Sequence, residues 1–184
     1  MELFVTIGVI VIIALYILSA YNGLVGKRNR VRNAWAQIDV QLKRRHDLIP
    51  NLVESVKGYM THERGVMEQV TSARERAISA GSNVTERAEA ENALTGALRS
   101  LFAVSEGYPD LKASQNMLAL QEELSSTENR VGFSRQAYND SVMEYNTARE
   151  SVPASLFAGA FGFGPESLFT LTDEAERAVP QVHF

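Results

Sequence analysis

The chain opens on an unbroken apolar run and then changes period. From Leu3 to Gly26 no residue is charged, and Leu3–Ala20 reads LFVTIGVIVIIALYILSA. An apolar run of about 18 or more residues can cross a hydrocarbon core of about 30 Å, and as a helix it satisfies its own backbone hydrogen bonds in lipid. Residues 1–26 therefore read as a transmembrane anchor, with Tyr16 and Tyr21 placed for rings at the interface. A cleaved signal peptide fits worse. Only Glu2 precedes the run where a basic region is wanted, and Leu18 spoils the small-residue site ending at Ala20.

Beyond the anchor the pattern is helical. Alternate steps of four and three from Val31 land on Trp35, Ile38, Leu42, Arg45, Ile49, Leu52, Val56, Tyr59, Glu63, Val66, Val70, Ala73 and Ala77. All but Arg45 and Glu63 are apolar, so the spacing predicts one long helix over 27–79 with a coiled-coil-like seam. Pro50 lies inside it, where a missing donor and a ring clash predict a kink or a short break near Asp47. Gly81-Ser82-Asn83 is a turn. A second helix follows over 84–106, with Ala90, Leu94, Ala97, Leu101 and Val104 as its buried stripe, ended by Gly107-Tyr108-Pro109-Asp110. The third runs over 111–150, with a seam of Ala113, Met117, Leu120, Leu124, Thr127, Val131, Ser134, Tyr138, Ser141 or Val142, and Tyr145. Pro153 stops it. No segment alternates with period two for long enough to make a sheet. The expected fold is all-α: an N-terminal transmembrane helix, then an antiparallel up-down bundle of long helices over 27–153.

The remaining segment, 154–184, differs in kind. Ala154–Phe169 carries Phe157, Phe161, Phe163 and Phe169 among three glycines, too short and too broken to span a bilayer. The rings either cap the open end of the bundle or form a contact with lipid or another subunit. Asp173–Phe184 reads as a short acidic helical turn and then an extended end with Pro180.

Composition narrows the function more than the fold. A net charge of −4 gives no reason to expect nucleic acid, and the absence of cysteine excludes disulfides, thiolate metal sites and cysteine nucleophiles. The basic cluster Lys27, Arg28, Arg30 and Arg32 follows the apolar run. By the positive-inside rule it puts the N-terminus outside and the bundle in the cytoplasm, and it would lie at the cytoplasmic leaflet.

The residues quoted next carry a resemblance. They include Tyr21-Asn22-x-Leu24-Val25, the run Ala34-Trp35-Ala36-x-Ile38-Asp39-Val40-Gln41-Leu42-Lys43-Arg44-Arg45, and Asp47-Leu48-Ile49-Pro50-Asn51-Leu52-Val53-Glu54. Further on stand Val56-Lys57-Gly58-Tyr59, His62-Glu63, Glu106-x-Tyr108-Pro109-x-Leu111-Lys112-Ala113, the doublets Tyr138-Asn139 and Tyr145-Asn146, and Pro180-x-Val182-x-Phe184. Over nearly its whole length the chain resembles the LemA family of bacterial membrane proteins. The resemblance implies a helical bundle behind an N-terminal anchor with a short outside terminus, in the bacterial inner membrane. It supplies no biochemical activity. Some relatives are linked to the formation of internal membrane compartments in magnetotactic bacteria, which is analogy only.

Candidate chemistry is thin. His62-Glu63 begins like a zincin motif, but Val66 stands where the second His belongs, and His46 is about four and a half turns away. His183 lies in the tail. Gly159-x-x-Gly162-x-Gly164 follows no strand and lacks the lysine of a phosphate loop. No cofactor, metal site or catalytic residue is expected. Arg45 on the seam calls for an acid on the third helix, such as Glu123 or Glu128, or a polar layer that fixes register. Trp35 and the two Tyr-Asn doublets, seven residues apart on one helix face, read as helix packing, with a homo-oligomer contact as the alternative. The leading expectation is a self-associating membrane scaffold without catalysis. An adaptor for another envelope protein, a protease or transporter, is the runner-up. A membrane-bound hydrolase would need buried acids converging on His46 or His62.

Overall fold

The structure is a computed structural model, and it describes residues 1–81 and 83–170. Ser82 of the expected turn lies outside the described residues. So do Asp173–Phe184, with Pro180 and His183. Every regular element among the described residues is helical: α1 (Glu2–Lys57), α2 (Arg64–Ser79), α3 (Val84–Ser105), α4 (Pro109–Lys112), α5 (Gln115–Glu150) and a 3₁₀ turn at Ala154–Leu156. The fold is all-α, with a long apolar helix at the N-terminus.

The anchor and the first bundle helix are one element, α1, which passes through Pro50 without a break. The expected interruption near Asp47 is absent for a local reason. Proline at position 50 removes the donor that would serve the His46 carbonyl, four residues earlier. The Arg74 guanidinium, from α2, donates to that carbonyl at 2.7 Å.

The break falls instead at Gly58–Glu63, so the single helix predicted over 27–79 is two. Gly58 costs about 1 kcal/mol of helix propensity relative to alanine. Folding back there also lets one stripe cover another. Ile49, Leu52, Val56 and Met60 share a buried cluster with Met67, Val70, Ala73 and Ala77, which a straight helix would have strung out in water. The predicted seam steps through exposed Tyr59, half-buried Glu63 and half-buried Val66; the turn buries Met60 and Met67 instead.

If Arg74 substitutes for the missing donor, the two residues must be coupled. Arg74→Met is expected to cost about 1–3 kcal/mol by orphaning the carbonyl. In a Pro50→Ala background, where the amide is restored, most of that cost should vanish. Urea unfolding of the four proteins in the cycle measures it, and equal costs in both backgrounds would contradict the coupling.

The chain divides into two compact units. Among the described residues, unit 2 comprises 40–132 and 169–170. Its core adds Leu94, Leu98 and Leu101 of α3, Leu111 of α4, and Met117 and Leu124 of α5 to the α1–α2 stripe. Asn83 caps α3, accepting from the amides of Thr85 and Glu86, and Gly81 supplies the positive φ of 55° that the turn needs. The buried stripe of α3 is Ala88, Glu91, Leu94, Leu98, Leu101 and Ser105, rotated from the expected one. The third long helix starts at Gln115 rather than 111, because Pro109 opens the separate turn α4.

Unit 1 comprises 1–39 and 133–168. Here α1 and α5 run antiparallel: Lys27 pairs with Glu144, and the Trp35 ring packs on Tyr138. Leu24, Val31, Ala34, Ile38, Tyr138, Val142, Tyr145, Ala154, Ala158 and Phe163 are the buried apolar residues of this unit among those described. From Leu3 to Leu18 no side chain is buried.

Candidate functional site

Two constellations stand out, one in each unit. In unit 2, Arg45 occupies its seam position with 2% exposure, and a polar layer surrounds it. Its guanidinium meets Glu91 at 3.5 Å, Glu128 at 3.1 Å and the Thr95 hydroxyl at 2.7 Å. The second oxygen of Glu91, a fully buried carboxylate, lies 2.8 Å from His46 Nε2. Of the two acids anticipated on the third long helix, Glu128 serves Arg45, while Glu123 pairs with the neighbouring Arg44. Glu91 was not anticipated, and His46 was expected only as a centre that a hydrolase would need, not as a member of the seam layer. A signal existed: Glu91 stands three residues before Leu94 on the Leu94, Leu98, Leu101 stripe, an acid on a seam just as Arg45 is a base on one.

This layer brings one acid, Glu91, to His46, and both side chains are buried. A cavity of about 390 Å³ lies beside it, lined by Arg45, Thr95, Phe102, Gln121 and Glu128 among others. Neither His46 nor Glu91 reaches its wall. Each oxygen of Glu91 has an internal partner, Arg45 on one side and His46 on the other. His62 is exposed in the α1–α2 turn, away from these contacts. Among the described residues no set of three His, Asp or Glu side chains converges on a metal position.

The constellation of unit 1 lies where α1 leaves its apolar run. The Tyr-Asn doublets act on an extended segment rather than on another helix. Tyr138 donates its hydroxyl to the Ser167 carbonyl at 2.9 Å, and Tyr145 donates to that of Gly164 at 2.8 Å. Asn146 grips the Glu166 backbone twice, donating to its carbonyl at 2.9 Å and accepting from its amide at 3.0 Å. That is the pairing one strand gives another, supplied here by an amide side chain. Burial, reinforced by the Glu166 charge, pushes the Tyr138 hydroxyl up to about 12. Burial and Glu166 raise Tyr145 too, against the opposing charges of Arg28, Arg149 and Arg32. Asn139 is half-buried beside Tyr138.

The clamp seats the Phe-rich segment on α1. Tyr21 receives Phe161 and Phe163 edge-on, with centroids 5.5 and 5.3 Å away, and Phe157 packs on Phe161 at 5.9 Å. Of the four rings expected as candidates for a lipid or subunit contact, Phe163 and Phe169 are buried within the chain and have no surface to give. Phe157 is half-buried and Phe161 remains 59% exposed. The basic cluster is equally engaged. Lys27 and Arg30 share Glu144 at 3.1 and 3.3 Å, and the Arg28 guanidinium lies 4.6 Å above the Phe163 ring. The hydrogen bond from Lys27, and then its charge, hold Glu144 below the usual carboxylate range. Arg32 is exposed.

Comparison with known proteins agrees with these marks. The chain is 26% identical over 126 residues to Protein LemA of Metamycoplasma hominis, an alignment covering 68% of this chain and 58% of that relative. The chain thus spans a little over half the length of the curated relative it matches. The model of the LemA family matches residues 34–184, from just beyond the apolar run to the last residue. Matched over that much of its length, the chain belongs to the LemA family.

Proposed function

We propose that the protein is a membrane-anchored, self-associating helical scaffold that organises the bacterial inner membrane, with its N-terminus outside, its bundle in the cytoplasm, and no catalysis of its own. One observation carries the reading: the apolar window of α1 has a mean hydropathy of 2.8, and none of it is buried inside the chain. Leaving a Val, Leu or Ile side chain in water rather than burying it costs about 1.5–3 kcal/mol, and this window presents many of them. Lipid removes that cost. His46 and Glu91 are both buried and paired with each other, which favours a structural role for them. Exposed Phe133 (74%) and Met143 (59%) on α5 leave apolar surface for a second copy.

The test is the mass of the full-length protein in mild detergent, by native mass spectrometry, beside a version starting at Lys27. A single-valued oligomer that dissociates when residues 1–26 are removed is the expected result. A monomer or dimer in both forms would sink self-association. It would favour the second reading, an adaptor for another envelope protein. A groove of about 680 Å³ between the end of α1 and α2, lined by Val53, Met67, Thr71 and Glu75 among others, is what such an adaptor would offer.

A further inference from the structure

We propose that residues 151–162 form a second membrane contact, a foot that beds in the interfacial layer of the bilayer beside α1. It rests on the reading of α1 as a span, and its partner is the same lipid bilayer.

Register sets the height of this segment. Lys27 of α1 pairs with Glu144 of α5, and the helices run antiparallel with equal rise per residue. Six residues beyond Glu144 stands Glu150, the last residue of α5; six before Lys27 stands Tyr21. The end of α5 therefore arrives level with Tyr21. A span of about 20 residues begun at Leu3 leaves the hydrocarbon at about the same place. Tyr21 confirms the level from the other side, since Phe161 and Phe163 both pack on its ring. Whatever follows Glu150 folds at the height of the lipid headgroups.

The chemistry suits that height. No charged residue occurs from Ser151 to Pro165. Within that stretch Ala154, Ala158 and Phe163 face the chain's own interior, while Val152, Leu156 and Phe161 turn outward with 77%, 80% and 59% exposure. Their backbone is held rather than loose. The Leu156 amide donates to Pro153, that of Phe157 to Ala154, and that of Phe161 to Phe157. Next to the foot the Arg28 guanidinium lies over the Phe163 ring, a cation at the edge of an apolar surface, as at an interfacial element. Its length cannot span a bilayer, so it lies in one leaflet. The exposed apolar surface of α1 ends beside it, which makes the two lipid-facing surfaces continuous through Tyr21 and Phe161. A protein partner would have to reach the foot within the headgroup layer, where lipid already is.

The absence of native cysteine makes a direct test simple. Single variants Leu156→Cys, Leu15→Cys and Ile78→Cys of the full chain are spin-labelled in vesicles of phosphatidylcholine and phosphatidylglycerol. Collision with oxygen, which concentrates in lipid, is compared with collision with a water-soluble nickel chelate. The label at 156 should favour oxygen, shifted toward the label at 15 and reversed from the label at 78, an exposed position on α2. If 156 behaves like 78 while 15 remains in lipid, the foot is refuted and the span stands. If the label at 15 is itself open to nickel, the span fails and the foot with it. If 156 is shielded from both reagents, a second copy covers it and the lipid assignment is overturned.

Discussion

Glu91→Ala is expected to destabilise the protein by about 3–5 kcal/mol, the cost of leaving a buried charge without its partner. Arg45 is 2% exposed and would keep only Glu128 and Thr95, and Glu128 is 45% exposed. His46, equally enclosed, would lose its one side-chain partner seen in the structure. Chemical unfolding of the detergent-solubilised chain, followed by helical circular dichroism, measures the change. Removing the three buried charged or ionisable members together should cost far less than removing Glu91 alone. The triple variant Arg45→Met, His46→Leu, Glu91→Leu replaces charge with apolar volume, and such swaps of buried ion clusters are often near neutral. A loss under about 1 kcal/mol for Glu91→Ala would mean that water reaches Arg45 and His46 and takes the place of the carboxylate. The comparison also bears on purpose. If the triple variant is stable but associates differently, the layer fixes register and partner choice rather than adding stability.

The second large effect is alkaline. A free tyrosine loses its proton near pH 10, whereas Tyr138 in the folded chain holds its own to about 12. Between those values the folded chain binds a proton that the unfolded chain has released, so stability falls as pH rises. The contribution is complete below pH 10 and gone above 12. A shift of that size corresponds to about 2–3 kcal/mol across the window. Tyr145 adds in the same direction. Tyr138→Phe should lose about 1 kcal/mol at neutral pH, for the bond to Ser167, and show a shallower alkaline limb. Thermal unfolding at pH 8, 10 and 11 separates the two effects. An unchanged limb in the Phe variant would assign the alkaline loss to other groups.

What the sequence disclosed follows from which forces act locally. The apolar run of α1 and the seams at Ile49, Leu52 and Val56 or Met117, Leu124 and Val131 repeat at helical spacing, so helix type and buried face were legible from neighbours a few residues apart. Arg45 was legible as an anomaly for the same reason. Its partner Glu91 was not, because choosing α3 over α5 requires knowing which helices meet. The hairpin at Gly58 was missed because the heptad steps run on through Tyr59, Glu63 and Val66 as if no turn were there. Only the shared core of Met60 and Met67 reveals the reversal. The doublets were legible as a face of α5, yet what Asn146 grips is backbone, and a backbone leaves no mark in residue identity.

Arg74 has one more consequence, for the order in which the chain is made. The His46 carbonyl inside α1 waits for a donor that lies 28 positions later. While the chain emerges from the ribosome, that carbonyl has only water as a donor, so the turn around Pro50 is held less firmly than the rest of α1. The apolar N-terminal part of the same helix contains no proline and closes its own backbone hydrogen bonds. One helix thus depends on another: the turn of α1 around Pro50 is completed by a donor from α2, across the hairpin at Gly58.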